Sequence, residues 1–332
     1  MNQERHQPRL NSAYEAVVIG AGLGGLSTAV ELARRGCKVL LLEQHNLPGG
    51  FASSFVRGRF EFEPSLHELC DIGSATNPGS VRHFLENIAG VQLDWCEIPE
   101  AYRLILTQEG LNVRLPFGVS AFIDTIEQHV PGSKAALTRY MELCQEVQEA
   151  FAYLSAAKGR PDIRKLLRQH LNFLRTAGYS MAEVTEAMGV SPAAQKLLYP
   201  YWCYIGIPAS RAPFCWWAAM LFKYISLGAY IPRFRSHELA MALVRRIEAL
   251  GGRVEFNTRV EQILVENGRV RGITTNQGDE VTTDCVIANA SPTLVYNQLI
   301  RPASAVPTLA RKLINARRHA MSAFVVYLGL DR

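Results

Sequence analysis

The sequence predicts an α/β fold in which a parallel-sheet domain is discontinuous, interrupted by a mixed helical and β insertion. Three observations lead there. An apolar run, Val17 to Ile19, is followed at once by a glycine-rich turn and an amphipathic helical pattern. Residues from about 77 to 235 then carry mostly helical periodicity. Strand patterns return from Arg253 onward and close on another apolar run, Asp284 to Ala288, which reads as a buried strand.

Composition sets the outer limits. The 332-residue chain is 48% hydrophobic and 20% charged, which suits a packed core and is too apolar for disorder. Its formal net charge of +5 is mild, and no Lys/Arg block reads as a nucleic-acid footprint, so no nucleic-acid partner is expected. The seven cysteines are scattered and contain no C-x-x-C pair. That argues against a disulfide framework and a thiolate metal site, and sets a reducing, cytoplasmic location as the expectation. Residues 1–13 are polar, lack the apolar stretch of a secretory signal, and read as a flexible tail.

The segment "YEAVVIGAGLGGLSTAVELARRGCKVLLLEQ" holds the most chemistry. Gly20, Gly22 and Gly25 form a G-x-G-x-x-G directly after the first strand. Gly20 permits the tight turn, Gly22 admits a pyrophosphate close to the backbone, and Gly25 lets the helix pack on the strand. Leu26, Ala29, Val30 and Ala33 share one helical face, and Gly36 ends the helix. A second strand, Val39 to Leu42, runs into Glu43, where a carboxylate can bond both ribose hydroxyls. Together these features specify a Rossmann-like dinucleotide site. Glu43 would repel a 2′-phosphate, so NADP is disfavoured and NAD or the ADP half of FAD remains.

The next stretch, "LPGGFASSFVRGRFEFEPSLHEL", separates those two. A nicotinamide domain usually continues with alternating strands and helices. Here Gly49-Gly50 follows Glu43 almost directly and allows a second close backbone approach beside an extended cofactor. Arg57-Gly58-Arg59 reads as a turn into a short strand with Phe60 and Phe62 on one face.

Tyr14 to about Leu69 resembles the N-terminal part of flavoproteins of the phytoene desaturase, carotenoid isomerase and retinol saturase type, within the wider amine-oxidase-like group. The resemblance implies a discontinuous Rossmann-like FAD-binding domain, glutathione-reductase-like, with a substrate domain inserted. It implies that Gly20, Gly22, Gly24, Gly25, Glu43, Gly49 and Gly50 bind FAD. It also implies that Val260, in a T-R-V segment, contacts the adenine through its backbone, and that "TDCVIANASP" is a returning strand of the same domain. The expected division is 14–76 and 236–292 for the FAD domain, and 77–235 and 293–332 for the substrate domain. The family's closing FAD segment has no counterpart after "MSAFVVYLGLDR", which raises the expectation of a fragment that retains flavin weakly.

The inserted block is read element by element. "AYRLILTQEGLNVRLPFG" predicts a hairpin turning at Glu109-Gly110. "DIRKLLRQHLNFLRT" predicts one basic amphipathic helix with Ile163, Leu166, Leu167, Leu171 and Leu174 on its apolar face. Such a helix packs on its own domain or lies on an anionic membrane surface, so peripheral membrane contact stays open. "PFCWWAAMLFKYISLGAYIP" approaches spanning length but carries Lys223 in mid-run, which favours a buried helix lining an apolar tunnel. Next, "YIPRFRSHEL" places Phe234, Arg235, Ser236 and His237 where the family has a Gly-Gly loop; either Arg235 and His237 meet a polar or acidic substrate end, or Ser236 is the N-cap of a helix over Leu239 to Leu250 with solvated neighbours. Val260 to Val265 and Val270 to Thr274 form a hairpin about Asn267-Gly268. Ala323 to Leu328 reads as a sheet strand.

The resemblance implies redox chemistry on a hydrophobic polyene or isoprenoid small molecule, by desaturation, saturation or isomerisation. His67 is the one catalytic candidate, and a purely structural histidine competes with that role. The alternatives are a flavin-free binding or escort protein of the same fold, and an inactive truncated fragment.

Overall fold

Two strands that follow different halves of the chain lie side by side in the central sheet, and this fixes the architecture. The computed structural model describes residue 10 and residues 13–317 and 322–331. The first segment contains β1 (Ala16–Ile19), α1 (Leu23–Arg34), β2 (Val39–Leu42), β3 (Phe55–Arg57) and β4 (Phe60–Phe62). The inserted block follows with α2 (Ser80–His83), β5 (Trp95–Glu97), β6 (Tyr102–Leu106), β7 (Leu111–Leu115), α3 (Val119–His129), α4 (Lys134–Ala156), α5 (Ile163–Gln169), α6 (Leu171–Thr176), α7 (Met181–Ala187), α8 (Pro192–Leu198), α9 (Phe214–Leu227) and β8 (Tyr230–Pro232). The return segment runs through α10 (Arg235–Ala249), β9 (Arg253–Glu255), β10 (Val260–Glu266), β11 (Arg269–Thr275), β12 (Glu280–Thr282), β13 (Val286–Ala288), α11 (Pro292–Leu294), β14 (Ile300–Arg301) and α12 (Thr308–Asn315).

The central sheet has the order β13-β1-β2-β9, and all its pairs are parallel. All eight residues of β1 and β2 are buried, because the sheet is covered on both faces. Val18, Val39 and Leu41 join a core with α1 and α10 on one face. Val17, Ile19, Leu40 and Leu42 join a second core with β10 and β11 on the other. Burying each such side chain contributes about 1.5–3 kcal/mol, so the register of these strands is tightly specified. β10 to β12 and β14 form a second sheet, in which Asn267 (φ 51°) and Gly268 (φ 73°) make the tight turn. The helical block has its own core, built on Phe122, Leu137, Tyr140, Phe214 and Trp217.

Five expectations change in the structure. The single helix over 162–176 is broken at His170, whose φ −129° and ψ 34° are non-helical. Tyr153 explains the break, since its ring stacks on the His170 ring at 5.2 Å and carries Lys165 Nζ at 4.4 Å on α5. Only Leu166 of the predicted apolar face is buried. The run Ala323 to Leu328 is not a strand of any sheet; Tyr327 instead packs on Phe55 and Phe62 and donates to the Pro64 carbonyl at 2.6 Å. Ser236 does not cap α10. The helix starts one residue earlier, and Glu63 beyond β4 accepts from the Ser236 N–H at 2.8 Å and from its hydroxyl. The apolar run before Pro292 is half-buried rather than buried, because β13 is an edge strand. Of the expected tail 1–13, Leu10 is buried and Ala13 bridges to Thr282, while the rest lies outside the described residues.

The apolar run around Lys223 is the largely buried α9. No helix among the described residues is long and apolar enough to cross a membrane.

Candidate functional site

The carboxyl ends of the parallel strands converge on one cavity of about 1070 Å³. That is slightly above the usual range of about 300–1,000 Å³ for ligand cavities. Ile19 at the end of β1 and Gly20 beyond it, Glu43 after β2, Thr258 and Arg259 after β9, Val260 and Glu261 at the start of β10, and Asn289 to Ser291 after β13 all line it. Open parallel sheets bind ligands at this end because crevices form there between the strand-to-helix loops.

Gly20, Gly22, Glu43, Gly49, Gly50 and Val260 are brought together in this lining. The Gly49-Gly50 pair docks on the first glycine loop. Gly49 bridges to Gly22, and its N–H donates to the Ala21 carbonyl at 2.7 Å. Gly24 and Gly25 lie outside the lining. Gly25 packs the helix on the strand, since a Cβ there would meet the Gly20 carbonyl oxygen at 1.9 Å. His67 is exposed and also lies outside the lining, although Ser65 and Leu66 are part of it.

Packing within the chain explains several glycines but not Gly22. Side chains at Gly20 and Gly49 would meet backbone carbonyl oxygens at 2.6 and 2.2 Å, and both residues have positive φ. Gly22 has an ordinary φ of −67°, and a Cβ there would meet only Asn289 Oδ1, at 3.2 Å. Its openness faces the cavity, as a phosphate pressed against backbone requires. Gly22 is also the N-cap of α1, with no side-chain cap and no acid in the first turn. The free N–H groups and the dipole there favour an anion.

Glu43 is fixed by its own loops. Its carboxylate accepts from the Ala21 N–H at 2.7 Å and the His45 N–H at 2.8 Å, one on each oxygen. The backbone around it is tied to the neighbouring strand, with Thr258 N–H donating to the Glu43 carbonyl at 2.9 Å. A carboxylate oxygen has two acceptor sites, so each retains capacity for a hydroxyl donor. Val260 begins β10 at an irregular register with β11, a bulge-type feature that turns Val260 and Glu261 to the cavity.

Asn289, Ser291, Gln298 and Arg301 also line the cavity and were not anticipated. Asn289 matters most, because its N–H donates to the Ile19 carbonyl at 2.8 Å and its side chain lies over Gly22 and Gly24. Its placement depends on the pairing of β13 with β1, which no local pattern reveals. The donor set as a whole fits an extended dinucleotide, with a helix N-terminus for phosphate, a carboxylate for hydroxyls, and two glycines pressed against the loop.

Comparison with known proteins finds a family and several relatives. The family model described as FAD dependent oxidoreductase matches residues 15–320. The chain is 31% identical over 307 residues to all-trans-retinol 13,14-reductase of Rattus norvegicus, which covers 88% of this chain and 50% of that protein. It is 26% identical over 290 residues to hydroxyneurosporene desaturase of Cereibacter sphaeroides, covering 84% and 56%. A crystal structure of an oxidoreductase from Methanosarcina mazei superposes with a TM-score of 0.64 at 19% identity, over 91% of this chain and 65% of that one. The chain spans about half the length of the curated relatives it matches.

Proposed function

The chain belongs to the FAD-dependent oxidoreductase family, and on that premise we propose that it is an FAD-dependent oxidoreductase acting on a hydrophobic polyene or isoprenoid. The reaction class is desaturation, saturation or isomerisation. The supporting observation is the convergence of Gly22, Glu43 and Gly49-Gly50 on one cavity at the carboxyl end of the sheet. The names of the matched relatives, a retinol reductase and a carotenoid desaturase, support the substrate class.

When bound, FAD supplies the hydride chemistry. This chain's residues hold and orient it. The first-turn N–H groups of α1 would hold the pyrophosphate, Glu43 the ribose hydroxyls, and the backbone at Val260 the adenine. Gly49 and Gly50 would let the loop lie against the remainder. The helical block would shield an apolar substrate from water. The reading includes a cytoplasmic location with peripheral membrane contact. His67 is retained as the catalytic candidate, exposed and next to Ser65 and Leu66 of the cavity lining.

Titration with FAD, followed by flavin fluorescence quenching, tests the reading. Saturable binding that is weakened by Gly22→Val and by Glu43→Ala supports it. A chain that binds an apolar polyene but neither FAD nor ADP would be a flavin-free binding protein instead.

A further inference from the structure

We infer that α5 and α6 form the surface by which this protein docks on an anionic phospholipid bilayer. The inference specifies the membrane contact in the reading above and rests on two independent observations at the same place.

The first is exposed apolar surface. Ile163 is 62% exposed, Leu167 52%, Leu171 38% and Leu174 39%. The break at His170 causes this. Tyr153 anchors α5 through Lys165 and His170, and α6 is held by Phe173, whose ring lies 5.4 Å from that of Phe151. The leucines are therefore left facing outward. Trp216, 70% exposed, joins the same surface because its ring contacts Phe151 at 6.5 Å. Tryptophan is the residue type favoured at a membrane–water interface.

The second is charge. Lys158, Arg160, Arg164, Lys165, Arg168 and Arg175 lie within one stretch of 18 residues, with Asp162 as its only acid. That excess of five equals the formal net charge of the whole chain, so the remainder is balanced. All six cations are exposed. Asp162 is occupied as the N-cap of α5, accepting from the Arg164 and Lys165 N–H groups. Cations around outward-facing leucines match an anionic headgroup layer with acyl chains beneath it. A second copy of the chain would bring the same positive charge and be repelled.

The test is co-sedimentation of the chain with phosphatidylcholine vesicles, with and without a phosphatidylserine fraction. Binding is expected only with phosphatidylserine, and is lost at high salt. Removing each cation should weaken it about fivefold, so the combined variant Arg164→Gln, Arg168→Gln, Arg175→Gln binds about a hundredfold less tightly. Leu167→Ser with Leu171→Ser also releases the protein, by a route that salt does not mimic. These positions are exposed, so circular dichroism and the thermal midpoint should not move. Equal binding to both vesicle types, or undiminished binding of the triple variant, overturns the inference. So does self-association lost in the leucine variant without vesicle binding, or capture by heparin but not by vesicles. Vesicle binding is scored without flavin, so a negative result leaves the FAD reading standing.

Discussion

Lys223 Nζ lies 2.5 Å from Asp71 Oδ2, joining α9 to the loop that leads from β4 to α2. The pair explains a lysine in the most apolar run of the chain. Asp71 is nearly fully buried and also accepts from the Ser80 N–H and hydroxyl. The ion pair thus ties the helical block to the segment that follows the glycine pair.

Lys223→Ala should destabilise the chain by about 2–3 kcal/mol. A fully buried pair would cost about 3–5 kcal/mol to break, but Lys223 retains 26% side-chain exposure. The combined variant Lys223→Met, Asp71→Asn should recover most of that loss, because neither charge is then left alone. Urea denaturation of the single and double variants decides it; equal losses would show that the carboxylate does not depend on the lysine.

Gly22 and Gly25 should separate binding from folding. A Cβ at Gly22 would meet only Asn289 Oδ1, so Gly22→Val should change stability by less than about 1 kcal/mol while weakening FAD at least about tenfold. Gly25→Ala forces a Cβ against the Gly20 carbonyl and should cost about 2–3 kcal/mol of stability. Thermal melts beside FAD titrations give both numbers, and a Gly22→Val protein with unchanged affinity would remove the phosphate role from that loop.

Arg235→Gly should stabilise the protein by about 0.5–1 kcal/mol. Arg235 sits at φ 72°, in the left-handed region, at the position where a glycine loop was expected. Holding a long side chain there costs about 1–2 kcal/mol. The freer unfolded state of glycine takes back part of that gain, about 0.4–1 kcal/mol. The surface pair with Glu61, at 3.8 Å, adds little. A lower urea midpoint in the glycine variant would mean that Arg235 makes a contact outweighing its strain.

Glu68 should give the chain a pH-dependent stability. Burial raises its carboxyl above the ordinary range, while the hydrogen bond from the Tyr204 hydroxyl, at 3.0 Å to Oε1, acts in the opposite sense. The folded state then holds the proton at a pH where the unfolded chain has released it. Stability therefore falls as pH rises from the ordinary carboxylate value, about 4.3, through the raised folded value. Glu68→Gln should remove that part of the slope. Denaturation curves for both proteins that stay parallel across this window would rule the effect out.

The glycine turn, Glu43 and the Gly49-Gly50 pair were legible because each answers a local demand of backbone or charge. The Asn267-Gly268 hairpin was legible for the same reason, with both residues at positive φ. What the sequence hid depends on partners far along the chain. Asn289 gains its place from the β13 to β1 pairing, and Ser236 is satisfied by Glu63 rather than by its own helix. The leucines of α5 and α6 follow helical spacing, yet periodicity says only that they share a face. Whether that face turns inward was decided by Tyr153 and Phe173. His67 sat in an informative stretch, but proximity in sequence to the glycine pair did not bring its side chain into the cavity.

The parallel pairing of Leu42 with Glu255 sets an order of assembly. The two strands are separated by the whole helical block, so during synthesis the ribosome must release that block before the sheet can gain its third strand. The block has its own core of local helix contacts and can condense first, whereas the nucleotide sheet waits on contacts of very high sequence separation. Early in its life the chain is therefore a helical body carrying an unfinished two-stranded ribbon. The glycine loop becomes a rigid cradle only when the last strands arrive.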